Sequence, residues 1–228
     1  MNRPTFTIAD PVRALGVRGA FAVLSGLDNA AVDAPAMDRW RERLVAEVRH
    51  ELVPGFVDRD PVLAGFRALH DAVGRSNRRF PSSAEALVGL FQRKGLVPSV
   101  NPLVDLYNGV SLTTRLSLGA HDLAHVIGDI TLRFTTGAER FVPLGAVDPQ
   151  PISPGEYCYI DGSGEVLCRL EHRQCERTKV TTATTDCFYI LQGNADTSRE
   201  LIESTLARLV ALTKQLCGGR LEEAWIVA

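Results

Sequence analysis

The run NPLVDLYNGVSLTTRLSLGAHDLAHVIGDITLRF, from Asn101 to Phe134, constrains this chain more than any other stretch, because it is a well-marked helix-to-strand passage carrying many specific polar residues. Asn101 suits the cap of a helix and Pro102 its first turn, where no N–H is needed. Leu103, Leu106, Val110 and, on the flank, Tyr107 recur at helical spacing and predict the buried stripe. Asp105, Asn108 and Ser111 fall three apart beside that stripe, a polar row at the edge of the core. Such a row either lines a pocket or holds neighbouring loops through backbone hydrogen bonds.

With 228 residues and 45% hydrophobic composition, the chain can bury one substantial core. A net charge of -2 argues against a protein that coats nucleic acid non-specifically, which needs an excess of Lys and Arg, so DNA is not expected as a partner. No apolar run is long enough to span a bilayer and MNRPTFTIAD has no apolar signal core, so no membrane partner is expected and the expected compartment is the cytoplasm. Cys158, Cys168, Cys175, Cys187 and Cys217 are odd in number and include no CxxC pair, which points to buried small hydrophobes rather than disulfides or structural zinc. His121 and His125 are spaced for one helical face, but HDLAH lacks the glutamate of a zinc-protease motif, and neither metal nor cofactor is expected.

Thr5 to about Ser25 is rich in β-formers and punctuated by Gly, which predicts a hairpin or strand pair. Asp33 and Pro35 open a helix that buries Trp40, Leu44, Val45, Val48 and Leu52, with Arg39, Arg41, Arg43, Glu47 and Arg49 on a solvated face. A second helix begins at Asp60 and Pro61, buries Leu63, Phe66, Leu69 and Val73, and stops at Gly74. A third runs from Ser82, with Glu85 at capping-box spacing, to Gly95. Between these two, Arg75, Arg78 and Arg79 form a basic cluster that reads as a solvated loop or as an edge touching phosphates.

After the central helix, GDITLRFTTGAERFVPLG predicts two strands around a turn near Gly137, and PGEYCYIDGSGEVLCRL a hairpin turning at Asp161 to Gly164. Thr197 and Glu200, again at capping-box spacing, open a last helix that ends at Gly218 and Gly219. The fold class is α+β, a single domain over 1–228, with strands and a three-helix segment in 1–97 and the closing helix at 197–217.

The runs NPLVDLYNGVSL, LGAHDLAHVIGDITLRFTTGAERFVPLG and RQCERTKVTTATT, in that order, resemble the B3/B4 domain, the aminoacyl-tRNA editing module of the phenylalanyl-tRNA synthetase β subunit. The resemblance covers 98–190, and nothing of the synthetase's other parts is visible, so the chain looks like a freestanding member. It implies a β-sandwich-containing core flanked by helices, and a cleft that hydrolyses a wrong amino acid from the 3′ end of a tRNA partner. Asp105, Asn108 and Asp122 stand where the family has Asp, Asn and Asp. The family's pocket threonine falls on Tyr107, its histidine on Gly119, and its hydroxyl-sensing glutamate near Ile190. On an extended segment His121 would point to the same side as Gly119 and partly replace that histidine.

An aminoacyl ester is activated, so its hydrolysis asks only for a positioned water and a polarised carbonyl. Asn108 and Gln174 are candidates to orient them, and Arg173 and Arg177 to hold negative charge, either an oxyanion or phosphates. Thr178, Thr181 and Thr184 either line the cleft or are strand residues on a pleat, the strand reading being preferred for at least one. Asn101, Asp105, Tyr107, Ser111, Gly119 and His121 complete the expected pocket. A binding module that kept the cleft without hydrolysis, and an esterase or amidase that ignores tRNA, are the other readings; the oligomeric state is left open.

Overall fold

The computed structural model describes residues 4–30 and 34–227, and every structural statement below concerns them. The expected hairpin at the N-terminus does not form. Asp10 and Pro11 instead start a one-turn helix, α1 (Asp10–Arg13), which separates β1 (Phe6–Ile8) from β2 (Arg18–Leu27). The two strands then join different sheets.

Four helices follow: α2 (Ala34–Arg49), α3 (Phe56–Arg59), α4 (Pro61–Ala72) and α5 (Ser83–Lys94). The Asp33 cap lies outside the described residues. Asp60 and Ser82 cap α4 and α5 through the backbone N–H groups of Leu63 and Glu85, as their sequences imply. The Glu85 carboxyl does not complete a capping box; it pairs with Arg67 at 2.8 Å. The central helix, α6 (Pro102–Thr114), begins at the Asn101 cap and buries Leu103, Leu106, Tyr107 and Val110.

Beyond it come β3 (Ser117–Asp122), β4 (Ile130–Phe134), β5 (Tyr157–Ile160), β6 (Val166–Arg169), β7 (Arg173–Gln174) and β8 (Cys187–Gly193). The strand expected after Gly137 is absent. Glu139 turns back and accepts hydrogen bonds from the Thr136 and Gly137 N–H groups and from Arg133, which holds that stretch as a loop, and Phe141 then anchors it in the core. β5 and β6 form the hairpin expected around Asp161 to Gly164.

The last helix, α7 (Arg199–Cys217), is capped by Ser198 rather than Thr197, whose hydroxyl accepts from the Asn194 N–H instead. Gly218 and Gly219 end the helix but not the fold. Both have positive φ, and a β-carbon on Gly219 would lie 2.7 Å from the Ser25 carbonyl, so glycine is needed for the chain to double back. The strand β9 (Gly218–Val227) then pairs along β2, an element with no expectation in the sequence.

Two sheets result, one ordered β1-β4-β5-β6-β7 and the other β3-β8-β2-β9. Only the β1–β4 pair is parallel. Phe6 and Tyr159 from the first sheet meet Phe21 and Phe188 from the second, with Phe6 stacked on Phe21 at 3.6 Å between ring centroids. The opposite face of the second sheet carries α6 and α7, where the Tyr189 hydroxyl meets Thr213 at 3.1 Å. The fold is therefore the α+β, β-sandwich-containing arrangement with flanking helices that its sequence implies.

Candidate functional site

β3 is an edge strand, and its period of two turns Ser117, Gly119 and His121 toward the other sheet. Their partners on β8, Gln192, Ile190 and Phe188, point the same way. β7 is the edge of the opposing sheet, so Arg173 and Gln174 stand across from β3, and Tyr107 and Asn108 reach in from α6. These elements enclose a cleft of about 290 Å³. One bond closes its back: Gln174 Nε2 donates to the Ala120 carbonyl at 3.2 Å.

Of the residues singled out from sequence, Asn108, Tyr107, Gly119, His121, Arg173 and Gln174 line this cleft. The others lie behind it and hold its walls. The Asn101 side chain accepts from Asn29 and the Val104 N–H and donates to the Val180 carbonyl, fastening the loop before β8 to α6. Asp105 is buried and accepts from Arg41 at 2.5 Å, Ser99 and the Val100 N–H. Arg41 thus leaves the solvated face expected for it. Ser111 donates to the Leu116 carbonyl, tightening the turn from α6 into β3.

Thr178, Thr181 and Thr184 all lie outside strands, contrary to the pleat reading. Thr178 meets His121 Nδ1 at 2.7 Å, and Thr184 donates to Asp122 at 2.7 Å while receiving the Thr181 N–H. Arg177 pairs with Asp161 at 2.6 Å and Glu165 at 3.1 Å. The Thr-rich segment is therefore a strap under the end of β3. His121 and His125 share no helical face, because the first lies in a strand and the second in a 3₁₀ turn.

Sequence reasoning missed the floor of the cleft. Glu171, Gln192 and Tyr159 line it and form one buried network: Tyr159 donates to Gln192 at 2.7 Å, and Gln192 and Tyr157 both donate to Glu171, at 2.9 and 2.7 Å. His70 Nε2 lies 2.6 Å from the other Glu171 oxygen. The available signal was Gln192 itself, a lone polar residue in the apolar run FYILQ. An acid thus reaches the cleft from Glu171, although Ile190 carries none.

Electrostatics keeps the thiol and the phenols of the cleft protonated at neutral pH. Burial pushes the Cys168 thiol and the Tyr159 and Tyr107 hydroxyls well above their ordinary values, with nearby acidic groups adding to the effect. Burial, and then the Arg177 charge, lowers His121 to about 4 against the pull of Asp161, so its imidazole is neutral at pH 7. His70 moves the other way: burial lowers it, but the hydrogen bond and charge of Glu171 outweigh that and raise it. The His121 Nε2 and Ser117 Oγ atoms are buried with no hydrogen-bond partner among the described residues. Those residues include no group of three or more His, Cys, Asp or Glu able to hold a metal ion. No described helix is long and apolar enough to cross a membrane.

Fold and site together define an α+β protein with a polar cleft between the edges of two sheets. Residues 68–218 match the B3/4 domain family, and the chain belongs to that family. Over 97% of its length it is similar in fold to the crystal structure of an N-terminal fragment of the phenylalanyl-tRNA synthetase beta subunit from Pyrococcus horikoshii, with a TM-score of 0.53 and 14% identity. The chain spans about half of that fragment, 51% of its length. No curated protein sequence matches it.

Proposed function

We propose that this protein is an aminoacyl-tRNA editing hydrolase, which removes a wrong amino acid from a tRNA charged elsewhere. The observation that carries the reading is the chemistry of the cleft wall: neutral hydrogen-bonding groups and one arginine converge there, while each thiol and phenol in it is held protonated. Such a wall suits attack by water on an already activated ester better than covalent catalysis.

In this reading a water adds to the ester carbonyl while Asn108 and Gln174 amides orient the water and the carbonyl oxygen. Arg173 stabilises the negative charge that develops on that oxygen. The carbon–oxygen bond to the ribose then breaks: one proton of the water ends on the ribose oxygen, the other passes to solvent, and the amino acid leaves as a carboxylate. Neutral His121 has one nitrogen, Nε2, without a partner among the described residues and so open to a hydrogen bond at this stage. Glu171 and Gln192, at the floor, are placed to test polar groups on the amino-acid side chain, since a buried acceptor left unpaired costs binding.

A second reading, a recognition module without hydrolysis, is favoured by one feature. The amide of Gln174 crowds Gly119, where the family carries an imidazole, and an amide accepts no proton from water at neutral pH. The deciding experiment is deacylation of a panel of tRNAs charged with cognate or near-cognate amino acids, with and without a chelator. Chelator-independent ester loss from a small subset supports the hydrolase. Binding without acceleration on any tRNA favours the recognition module instead.

A further inference from the structure

The cleft does not end at its mouth. Leu144, His172 and Arg173 are shared between it and a second hollow of about 280 Å³, lined also by Phe80, Gln150 and Arg169. Those last three residues are shared in turn with a third hollow of about 400 Å³, which reaches Arg75 and Arg79. One continuous groove thus runs from the cleft across the surface to the loop between α4 and α5.

Its cations are built in rather than scattered. Glu156 is buried between two of them, bonding Arg75 at 2.6 Å and Arg169 at 2.5 and 2.7 Å, so both guanidinium groups are fixed at the groove floor. The Arg169 guanidinium lies over the Phe80 ring at 4.7 Å and that of Arg79 at 5.3 Å. Arg79 makes no ion pair among the described residues, and Arg173 at the cleft end donates to the Leu144 carbonyl. Four guanidinium groups therefore follow the groove against one carboxylate, on a chain whose overall charge is -2. A positive track on a near-neutral protein attracts a polyanion locally rather than coating one.

We infer that this groove, from Arg173 through Arg169 to Arg79 and Arg75, is the path of a single-stranded RNA 3′ end into the cleft. A flexible strand fits the observations better than a duplex, because the track is concave and leads into a cleft of only about 290 Å³. The guanidinium planes offer both phosphate contacts and stacking surfaces for unpaired bases. The inference rests on the reading of the protein as one that acts on tRNA, and it adds the route that the RNA takes.

The test is fluorescence anisotropy with an RNA hairpin carrying a single-stranded 3′ ACCA tail, compared with the same hairpin ending blunt. The wild type should bind the tailed RNA at least fivefold more tightly. Arg79→Glu should remove that difference and flatten the dependence of log Kd on log salt, since each phosphate contact contributes to that slope. Arg78→Glu, the same charge change on an exposed neighbour outside the groove, should keep the preference for the tail. Arg79 is itself exposed, so the melting temperature of both variants should match the wild type.

Equal binding of tailed and blunt hairpins overturns the inference, as does equal weakening by the two variants, which would show only a diffuse field. A heparin fragment that binds with the same dependence on Arg79 as the tail would reduce the groove to a general polyanion surface and overturn it too. The outcome is separable from hydrolysis. Tail-dependent binding without deacylation of any charged tRNA leaves the path standing and removes the enzyme, whereas deacylation unchanged in Arg79→Glu removes the path and leaves the enzyme.

Discussion

Gln174 Nε2 lies 2.5 Å from the point where a β-carbon on Gly119 would stand, so these two residues, one on each sheet edge, occupy a single site. The family resemblance expects an imidazole at position 119, and here an amide delivered from the opposite sheet fills that room. Gly119→Ala should displace the end of a flexible side chain and break its bond to Ala120, at little cost to the fold. Deacylation should fall at least tenfold, about 1.4 kcal/mol of barrier. Stopped-time assays on the sensitive charged tRNA, beside a melting curve, check this; full activity in a folded variant would remove Gln174 from the mechanism.

Asn108→Ala and Arg173→Ala should each lower deacylation at least tenfold, about 1.4 kcal/mol, with folding intact. Neither side chain anchors the core. Asn108 is half-buried at the cleft wall and Arg173 is exposed apart from its bond to Leu144. If both variants turn over like the wild type, the proposed carbonyl and charge contacts are wrong.

Asp105→Ala should behave differently, because its partners are structural. It would leave the Val100 N–H without its acceptor and take from Arg41 one of its two carboxylate partners, the other being Asp38, at a cost of about 2–3 kcal/mol. Urea unfolding should show that loss, while the rate per folded molecule stays within about twofold of the wild type. A large rate defect at unchanged stability would instead put Asp105 in the chemistry.

The two buried histidines should impose opposite pH slopes on stability. His121 is lowered to about 4 in the fold, against 6.5 when exposed, so its contribution is full above pH 6.5 and is lost as pH falls toward 4, about 3 kcal/mol in all. His70 is raised, so the stability it draws from Glu171 is full below pH 6.5 and is lost as pH rises through its folded value. Denaturant titrations at several pH values should give a maximum between these limbs. His70→Gln should flatten the alkaline limb alone, and an unchanged limb would mean that the Glu171 contact does not hold its proton.

Tyr159→Phe removes a hydroxyl that donates to Gln192 inside the core, leaving an acceptor unpaired at the cleft floor. The expected loss is about 1–2 kcal/mol of stability. Because Gln192 also bonds Glu171, the substrate preference across the tRNA panel should shift as well. A stability loss with identical preference would confine this network to a packing role.

Local chemistry was legible in the residues themselves. Asp60, Ser82 and Asn101 cap helices because a short polar side chain reaches its own next turn, and Tyr157 to Arg169 forms a hairpin because its turn lies within the segment. The family landmarks around Asp105, Asn108 and Asp122 were legible for the same reason, since each sits in a recognisable run. What the chain alone did not carry was partnership across distance. β1 pairs with β4 and β9 with β2 only because the folded chain brings them together, and Glu171, Gln192 and Gln174 reach one cleft from a turn and two strands. Spacing along a sequence reports which side chains share a helix face or a pleat, so it determined the elements and the family. Which edge meets which edge is set by burying Phe6, Phe21, Tyr159 and Phe188 together, and that packing, a property of the whole fold, decided the site.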